Sequence, residues 1–170
     1  MMTRMPVTIA TESVLSDNAR ALIEASEAAL LAVYPPEECF SFSAEELATK
    51  STQFLVARRA GAPVGCVALV DQGRYGEVKR LYVDPGQRGR GIGRALMEEL
   101  EGAARDIGLG LLRLETGAAL AAAVQLYRRM GYADCAPFGG YPDIASNLFM
   151  QKRIGILLRE DHGLAQLSRA

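Results

Sequence analysis

The chain has 170 residues with a formal net charge of −1; 49% of the residues are hydrophobic and 23% are charged. This length and composition suit one globular domain, and the near-neutral charge gives no reason to expect nucleic acid or an anionic membrane as a partner. Three scattered cysteines and a single histidine predict reduced thiols in a cytoplasm and argue against a zinc site, and no signal peptide or membrane-spanning run is evident.

The first half of the chain predicts two helices and four strands. Apolar residues recur at helical spacing between Leu15 and Val33, and this helix must end near Pro35. Ser43 and Glu46 have the spacing of a capping box, which predicts a second, short helix. Two of the strands are joined by only three residues, which predicts a hairpin. The predicted strands are residues 6–11, 53–59, 63–71 and 77–83.

The second half alternates helices and strands. A helix with one apolar face begins near Ile92 and ends at Gly108, and another runs from Leu120 to Met130. The element order predicts a mixed α/β sheet in which antiparallel strands dominate the first half. We expect one domain over residues 1–154 and a polar tail of unpredicted structure from residue 155. The predicted strands of this half are residues 111–116, 132–138 and 147–154.

Glycines and arginines alternate where the strand at residues 77–83 gives way to the following helix. Glycine lets the backbone approach a ligand closely, and successive amides at a helix N-terminus form an anion site. This stretch therefore predicts a phosphate cradle with cationic side chains around it, although a tight turn with solvated arginines would have the same composition. The glycines are Gly89, Gly91 and Gly93, and the arginines are Arg88, Arg90 and Arg94.

Two common nucleotide-binding motifs match this stretch badly. The P-loop pattern G-x-x-x-x-G-K-[ST] is absent. The dinucleotide pattern G-x-G-x-x-G or A fails because Arg94 and Leu96 occupy its last position in the two possible registers. Glu115 ends a strand roughly 20 residues further on, where a ribose-binding acid would sit. A dinucleotide-binding oxidoreductase therefore stays open as an alternative.

The segment "QRGRGIGRAL" resembles the signature of the GNAT superfamily of acetyl-CoA-dependent N-acyltransferases. The preceding "EVKRLYVDP" and the downstream "LYRRMGY" resemble further elements of that family, in the same order, so that the likeness covers about residues 53–153. The resemblance implies the GNAT-like acyl-CoA N-acyltransferase fold, with a central, mostly antiparallel sheet flanked by helices. It also implies direct transfer of an acetyl group from acetyl-CoA to an amine.

The resemblance further implies where acetyl-CoA binds. Its pyrophosphate would lie on the backbone amides of residues 88–93, which is the anion site that the glycines predict on physical grounds. Its pantetheine arm would lie along the end of the strand at residues 77–83, provided that the strand splays from its neighbour. The implied binding residues are Leu81, Tyr82, Val83, Arg88, Gly89, Arg90, Gly91, Ile92, Gly93 and Arg94.

Four further residues are candidates for the chemistry. Glu77 lies where several family members carry a glutamate base, but it could equally be an ion-paired strand carboxylate. Tyr127 resembles the family's tyrosine acid, and it also shares the apolar face of its helix. Glu115 and Tyr141 are candidate contacts for the acceptor amine, with a strand-end carboxylate and a plain turn as the alternatives.

One position departs from the family pattern. Many relatives have asparagine seven residues before the tyrosine, and here that residue is Leu120. A CoA-binding or regulatory module without transfer activity is therefore a second hypothesis. We expect the acceptor to be a small-molecule or peptide amine whose identity the sequence does not reveal, and exposed strand edges make a homodimer possible.

Overall fold

A single seven-stranded sheet organises the computed structural model, which describes residues 5–155. The strands lie in the order β1-β2-β3-β4-β5-β7-β6, and every neighbouring pair is antiparallel except β4 and β5. Except for Gly155, the predicted tail lies outside the described residues. The strands are β1 Val7–Glu12, β2 Thr52–Arg59, β3 Ala62–Asp71, β4 Gly76–Val83, β5 Leu111–Gly117, β6 Ala133–Asp134 and β7 Asn147–Arg153.

Helices cover both faces of this sheet. On one face α1 and α2 pack on alternate residues of β2 and β3, including Phe54 and Val56. On the other face, the intervening residues of β2 and β3, including Leu55 and Ala57, belong to one core cluster with buried residues of α3 and α4. Because side chains alternate along a strand, the central strands are apolar on both sides. The helices are α1 Asp17–Leu31, α2 Ala44–Ala48, α3 Ile92–Asp106 and α4 Ala121–Arg129.

The ends of two predicted elements are wrong. Leu15 precedes the N-cap of α1 and Val33 follows its C-cap, so that these side chains are 45% and 49% exposed rather than part of the buried face. The strand predicted over residues 132–138 pairs only at Ala133–Asp134. Pro137 has no amide to extend the pairing, and Phe138 packs edge-on against other aromatic rings. The capping box of α2 is present as predicted.

Strand β4 carries a bulge that separates it from β5. Cys66 pairs with Tyr82 while Ala68 pairs with Lys79, so β4 has one extra residue there, and Arg80 adopts a φ of 56°. The parallel pairing with β5 is limited to Gly76 and Glu77. Beyond Glu77 the two strands diverge, and within residues 5–155 no strand pairs with the edge of β4 that faces β5.

Candidate active site

A cavity of about 720 Å³ fills the gap between the diverging strands. Its walls are the ends of β4 and β5, the start of α3, one side of α4, and a strap that we define as residues 38–42, between α1 and α2. This volume lies within the usual range of small-molecule sites, about 300–1,000 Å³. The bulge therefore creates a binding site that the separate elements do not contain.

An amide cradle, residues 89–94, forms one end of the cavity. Gly91 is the N-cap of α3 with a φ of 81°, and Gly89 has a φ of 74°. Within residues 5–155, none of the six amides of this cradle donates to a protein acceptor. A Cβ atom added at Gly89 or Gly91 would meet no atom within 4 Å, so the space beside the backbone is open. Free amides at the positive end of a helix dipole fit a phosphate group.

The arginines around this cradle differ in their placement. The amide of Arg88 donates to the Pro85 carbonyl at 3.4 Å and therefore lies outside the set of free donors. Its guanidinium donates to the Val83 carbonyl at 3.1 Å. Arg94 pairs with Glu98 on the exposed side of α3, at 2.9 Å. Arg90 is exposed and does not line the cavity, whereas the other predicted donor-binding residues do.

Tyr127, on α4, lines the cavity. Only 6% of this residue is exposed, and its ring packs edge-on against Tyr132 with 5.8 Å between centroids. Its hydroxyl has no hydrogen-bond partner in the part of the chain that the structure describes, yet it is not sealed in the core. Burial, together with the charge of Glu115, raises the pKa of Tyr127 well above its usual value. The hydroxyl therefore stays protonated and free to donate.

An acid–lysine cluster, Glu77, Lys79 and Glu115, forms the opposite end of the cavity. The Lys79 ammonium lies 3.6 Å from Glu77 Oε1 and 3.9 Å from Glu115 Oε2. Glu115 and Lys79 line the cavity, but Glu77 lies behind them and is 2% exposed. Burial raises the pKa of Glu115, Lys79 opposes this effect, and Glu77 adds to it. Burial lowers the pKa of Lys79, which the two carboxylates partly offset.

Tyr141 closes this end behind the cavity wall. Its hydroxyl donates to Glu77 Oε1, and Gln72 Nε2 donates to Glu77 Oε2 at 3.0 Å. Both carboxylate oxygens of Glu77 are therefore occupied, and Tyr141 does not line the cavity itself. Its ring faces the Lys79 ammonium at 4.4 Å.

Sequence reasoning missed the residues that hold the strap in place. Lys79 Nζ donates to the Phe40 carbonyl, and Arg80 Nε donates to the Phe42 carbonyl, both at 2.9 Å. Tyr34, just after α1, accepts from the Ala119 amide at 2.8 Å beside the end of β5. The available signal was the pair of consecutive cationic residues, Lys79 and Arg80, in a predicted strand, because a buried lysine or arginine needs hydrogen-bond acceptors. Their acceptors are backbone carbonyls about 40 residues away in the chain, which no sequence pattern indicates.

Two features of other protein classes are not found among residues 5–155. Within that range, no group of three histidine, cysteine, aspartate or glutamate side chains is arranged to hold a metal ion. Over the same residues, no helix is long and apolar enough to cross a membrane.

Comparisons with known proteins give a consistent family assignment. Residues 19–132 match the acetyltransferase (GNAT) family. An IAA acetyltransferase of Azospirillum brasilense is 47% identical over 148 residues, which are 86% of this chain and 97% of that protein. A Klebsiella pneumoniae structure assigned as an acyl-CoA N-acyltransferase is 32% identical, with a TM-score of 0.75, over 88% of this chain and 98% of that one. The chain belongs to the GNAT family of acetyltransferases.

The fold is also that of the PaiA N-acetyltransferase of Thermoplasma acidophilum, whose structure contains coenzyme A. That protein is 21% identical, with a TM-score of 0.70, over 88% of this chain and 99% of that one. The family match and the relatives that are more than 30% identical make the present chain an acetyl-CoA-dependent N-acetyltransferase that acts on an amine. The dinucleotide alternative is wrong, because the mostly antiparallel sheet is not the doubly wound parallel sheet of that class.

Proposed function

We propose that the cavity between β4 and β5 is the transfer site, with the donor at the amide cradle and the acceptor amine at the acid–lysine cluster. The observation that carries this proposal is that one continuous cavity is lined by the amide cradle, by Tyr127, and by Lys79 and Glu115. When bound, acetyl-CoA supplies an activated thioester. The residues of the chain hold the two substrates next to each other, accept a proton from the amine and donate a hydrogen bond to the departing sulfur.

At the donor end, the amides of residues 89–94 are the proposed pyrophosphate ligands. These amides have no acceptor among the described residues, and the space beside Gly89 and Gly91 is open; both observations support this assignment. The free edge of β4 at Leu81, Tyr82 and Val83 is the proposed partner for the extended pantetheine arm, because a strand edge pairs with extended chains. Leu120 lines the cavity without a polar group, so α4 contributes apolar contact there.

At the acceptor end, the proposed proton acceptor is Glu115 rather than Glu77. An alkylammonium has a pKa near that of lysine, about 10.4, and must lose a proton before it attacks. Glu115 lines the cavity, and its raised pKa makes it a better base than an ordinary carboxylate. Glu77, which the sequence predicts as the base, is buried behind it with both oxygens occupied. Its proposed role is to position Lys79 and Tyr141.

Between the two ends, Tyr127 is the proposed donor to the departing sulfur. Its hydroxyl lines the cavity without a protein partner among the described residues, which supports this role. A thiol has a pKa of about 8.5, so transfer of a proton from a phenol of raised pKa to the thiolate is uphill. We therefore expect Tyr127 to stabilise the developing sulfur charge chiefly through a hydrogen bond.

We also infer that the protein works in the cytoplasm and forms a homodimer. The free thiols of Cys39, Cys66 and Cys135 support a reducing compartment. The exposed edges of β1 and β6 support pairing with a second copy. Light scattering on the purified protein would measure its mass directly, and a monomer at all concentrations would contradict the dimer.

The test of the transfer site is a thiol-release assay with acetyl-CoA and a panel of primary amines, run beside calorimetry with coenzyme A. We expect binding of coenzyme A together with turnover of at least one amine. Binding without turnover on any acceptor would support the module hypothesis instead. Absence of any heat with coenzyme A would overturn the cradle.

A further inference from the structure

The ammonium of Lys79 lies in a cage whose walls are those of an alkylammonium-binding site. Two aromatic rings face it, Tyr141 at 4.4 Å and Phe42 at 4.8 Å from their centroids. The Phe40 carbonyl accepts from it at 2.9 Å, and the carboxylates of Glu77 and Glu115 lie within 4 Å. Aromatic faces combined with carboxylates are the means by which proteins bind organic cations.

The lysine fills this cage completely. Its side chain is 5% exposed, and it enters from β4 at the floor of the acceptor end of the cavity. An incoming ammonium at the same depth would find the aromatic faces and the Phe40 carbonyl already in use. It would also meet a like charge on Lys79, whereas the nearby guanidinium of Arg80 is already paired with Glu27 at 2.7 Å.

The charges of the cluster leave room for one further cation. Two carboxylates and one ammonium carry a net charge of −1 when all three are ionised, which one acceptor ammonium at Glu115 would neutralise. A second ammonium on the same acceptor would have to lie deeper, against Lys79, or back towards the solvent. Glu38 on the strap also lines the cavity, but it has no place in the cage.

We propose that Lys79 is a specificity-determining residue that occupies the cation cage, so that the enzyme accepts monoamines and rejects diamines and polyamines. This inference rests on the proposed acceptor end of the cavity. It specifies the chemical class of the acceptor, which is a molecule with one primary amine. The part of that molecule that reaches Lys79 is uncharged or anionic. Discrimination arises from repulsion and from the absence of a second desolvated cation site among the described residues that line the cavity.

The cage can be tested without any enzymatic turnover. Lys79→Ala removes three carbons and the ammonium, which together correspond to propylammonium. We expect propylammonium chloride to raise the thermal midpoint of Lys79→Ala by ~2–4 °C at about five times its dissociation constant. Propan-1-ol, the same chain without the charge, should not do so. Wild type and Lys79→Met, in which the space stays filled, should not respond to propylammonium.

A Lys79→Ala protein that ignores propylammonium would overturn the cage. If this variant is insoluble alone, it can be refolded with each additive. Recovery with propylammonium but not with propan-1-ol supports the cage, and failure with both overturns it.

The selectivity is tested by comparing butylamine with 1,4-diaminobutane as acceptors. For wild type we expect kcat/KM to favour the monoamine by about tenfold or more, and Lys79→Ala should reduce that ratio. A wild-type preference for the diamine would overturn the proposed role of Lys79. If the cage is correct but the acceptor binds elsewhere, the result is different. Propylammonium would still stabilise Lys79→Ala, but the turnover and selectivity of this variant would match those of wild type.

Discussion

The guanidinium of Arg80 lies 2.7 Å from the carboxylate of Glu27 and thereby ties the bulge of β4 to helix α1. Glu27 also accepts from Ser41 Oγ at 2.7 Å, so the same carboxylate holds the strap. One ion pair thus connects the three segments that shape the acceptor end of the cavity. Because the Arg80 side chain is 4% exposed, the loss of its partner would leave a buried charge unpaired.

The Glu27 carboxylate should make stability depend on pH. Burial alone would raise the pKa of Glu27, but hydrogen bonds from Ser41 and Arg80 and the charge of Arg80 bring it below its usual value. A lowered pKa means that the ionised form stabilises the fold above the unfolded-state pKa, about 4.3, and that this contribution is lost as pH falls through the lower folded-state pKa. The difference in free energy of unfolding between wild type and Glu27→Gln should therefore become smaller at acidic pH.

Denaturant unfolding at pH 7 and pH 3 measures this difference. We expect Glu27→Gln to lower the free energy of unfolding at pH 7 by about 1–3 kcal/mol, towards the lower figure because 34% of the Glu27 side chain is exposed. Glu45→Gln is the matched control, since its pair with Arg20 is exposed on both sides, and it should change little. An equal loss for both variants would contradict a special role for Glu27.

Tyr127→Phe should reduce kcat by about 10²- to 10³-fold without weakening coenzyme A binding. The phenylalanine keeps the ring packed against Tyr132 and removes only the hydroxyl that faces the cavity. Steady-state kinetics and calorimetry check the two expectations. Tyr132→Phe is the control: its hydroxyl donates to buried Glu101 at 3.2 Å, away from the cavity lining, so it should cost stability and leave kcat unchanged. Unaltered turnover in Tyr127→Phe would remove this residue from the mechanism.

Gly91→Ala should weaken coenzyme A binding in addition to lowering the stability of the fold. At a φ of 81° any side chain costs about 1–2 kcal/mol, and the added methyl group would project into the space that the phosphates need. Such an intrusion costs about 1–3 kcal/mol, or at least about fivefold in Kd. Gly61→Ala has the same open surroundings and a φ of 79°, in the β2–β3 hairpin. It should lose similar stability with normal affinity, and equal affinities in both variants would place the cradle elsewhere.

The pH dependence of kcat/KM should identify the base. Glu115 must be ionised to take a proton, and burial raises its pKa, so activity should fall on the acid side at a pH above the ordinary glutamate value of about 4.3. Glu115→Gln should lower kcat/KM by about 10²- to 10⁴-fold and abolish this acid limb. Glu77→Gln should retain the acid limb of the pH profile. If the limb survives in Glu115→Gln and disappears in Glu77→Gln, the base is Glu77.

Much of the fold follows from local patterns in the chain. Short-range residue spacing predicts the order of strands along the sequence, the capping box at Ser43 and the glycines between strand and helix. Such spacing depends on propensity and dihedral preference alone. The likeness to the acetyltransferases also came from contiguous motifs, and the family match confirms it. Element ends were less predictable: Leu15 fits the helical period but lies outside α1, because the cap at Ser16 decides where the helix begins.

By itself, the sequence determined the class of fold, the family and the place of the glycine-rich turn between β4 and α3, because each depends on residues that are neighbours in the chain. Only the tertiary structure decided which carboxylate faces the cavity and that Lys79 fills the cage between Glu77 and Glu115. Those facts depend on a bulge at Arg80 and on segments about 40 residues apart in the chain. Burial and electrostatic interactions act through space, so the chemical roles of these residues depend on contacts that sequence spacing does not contain.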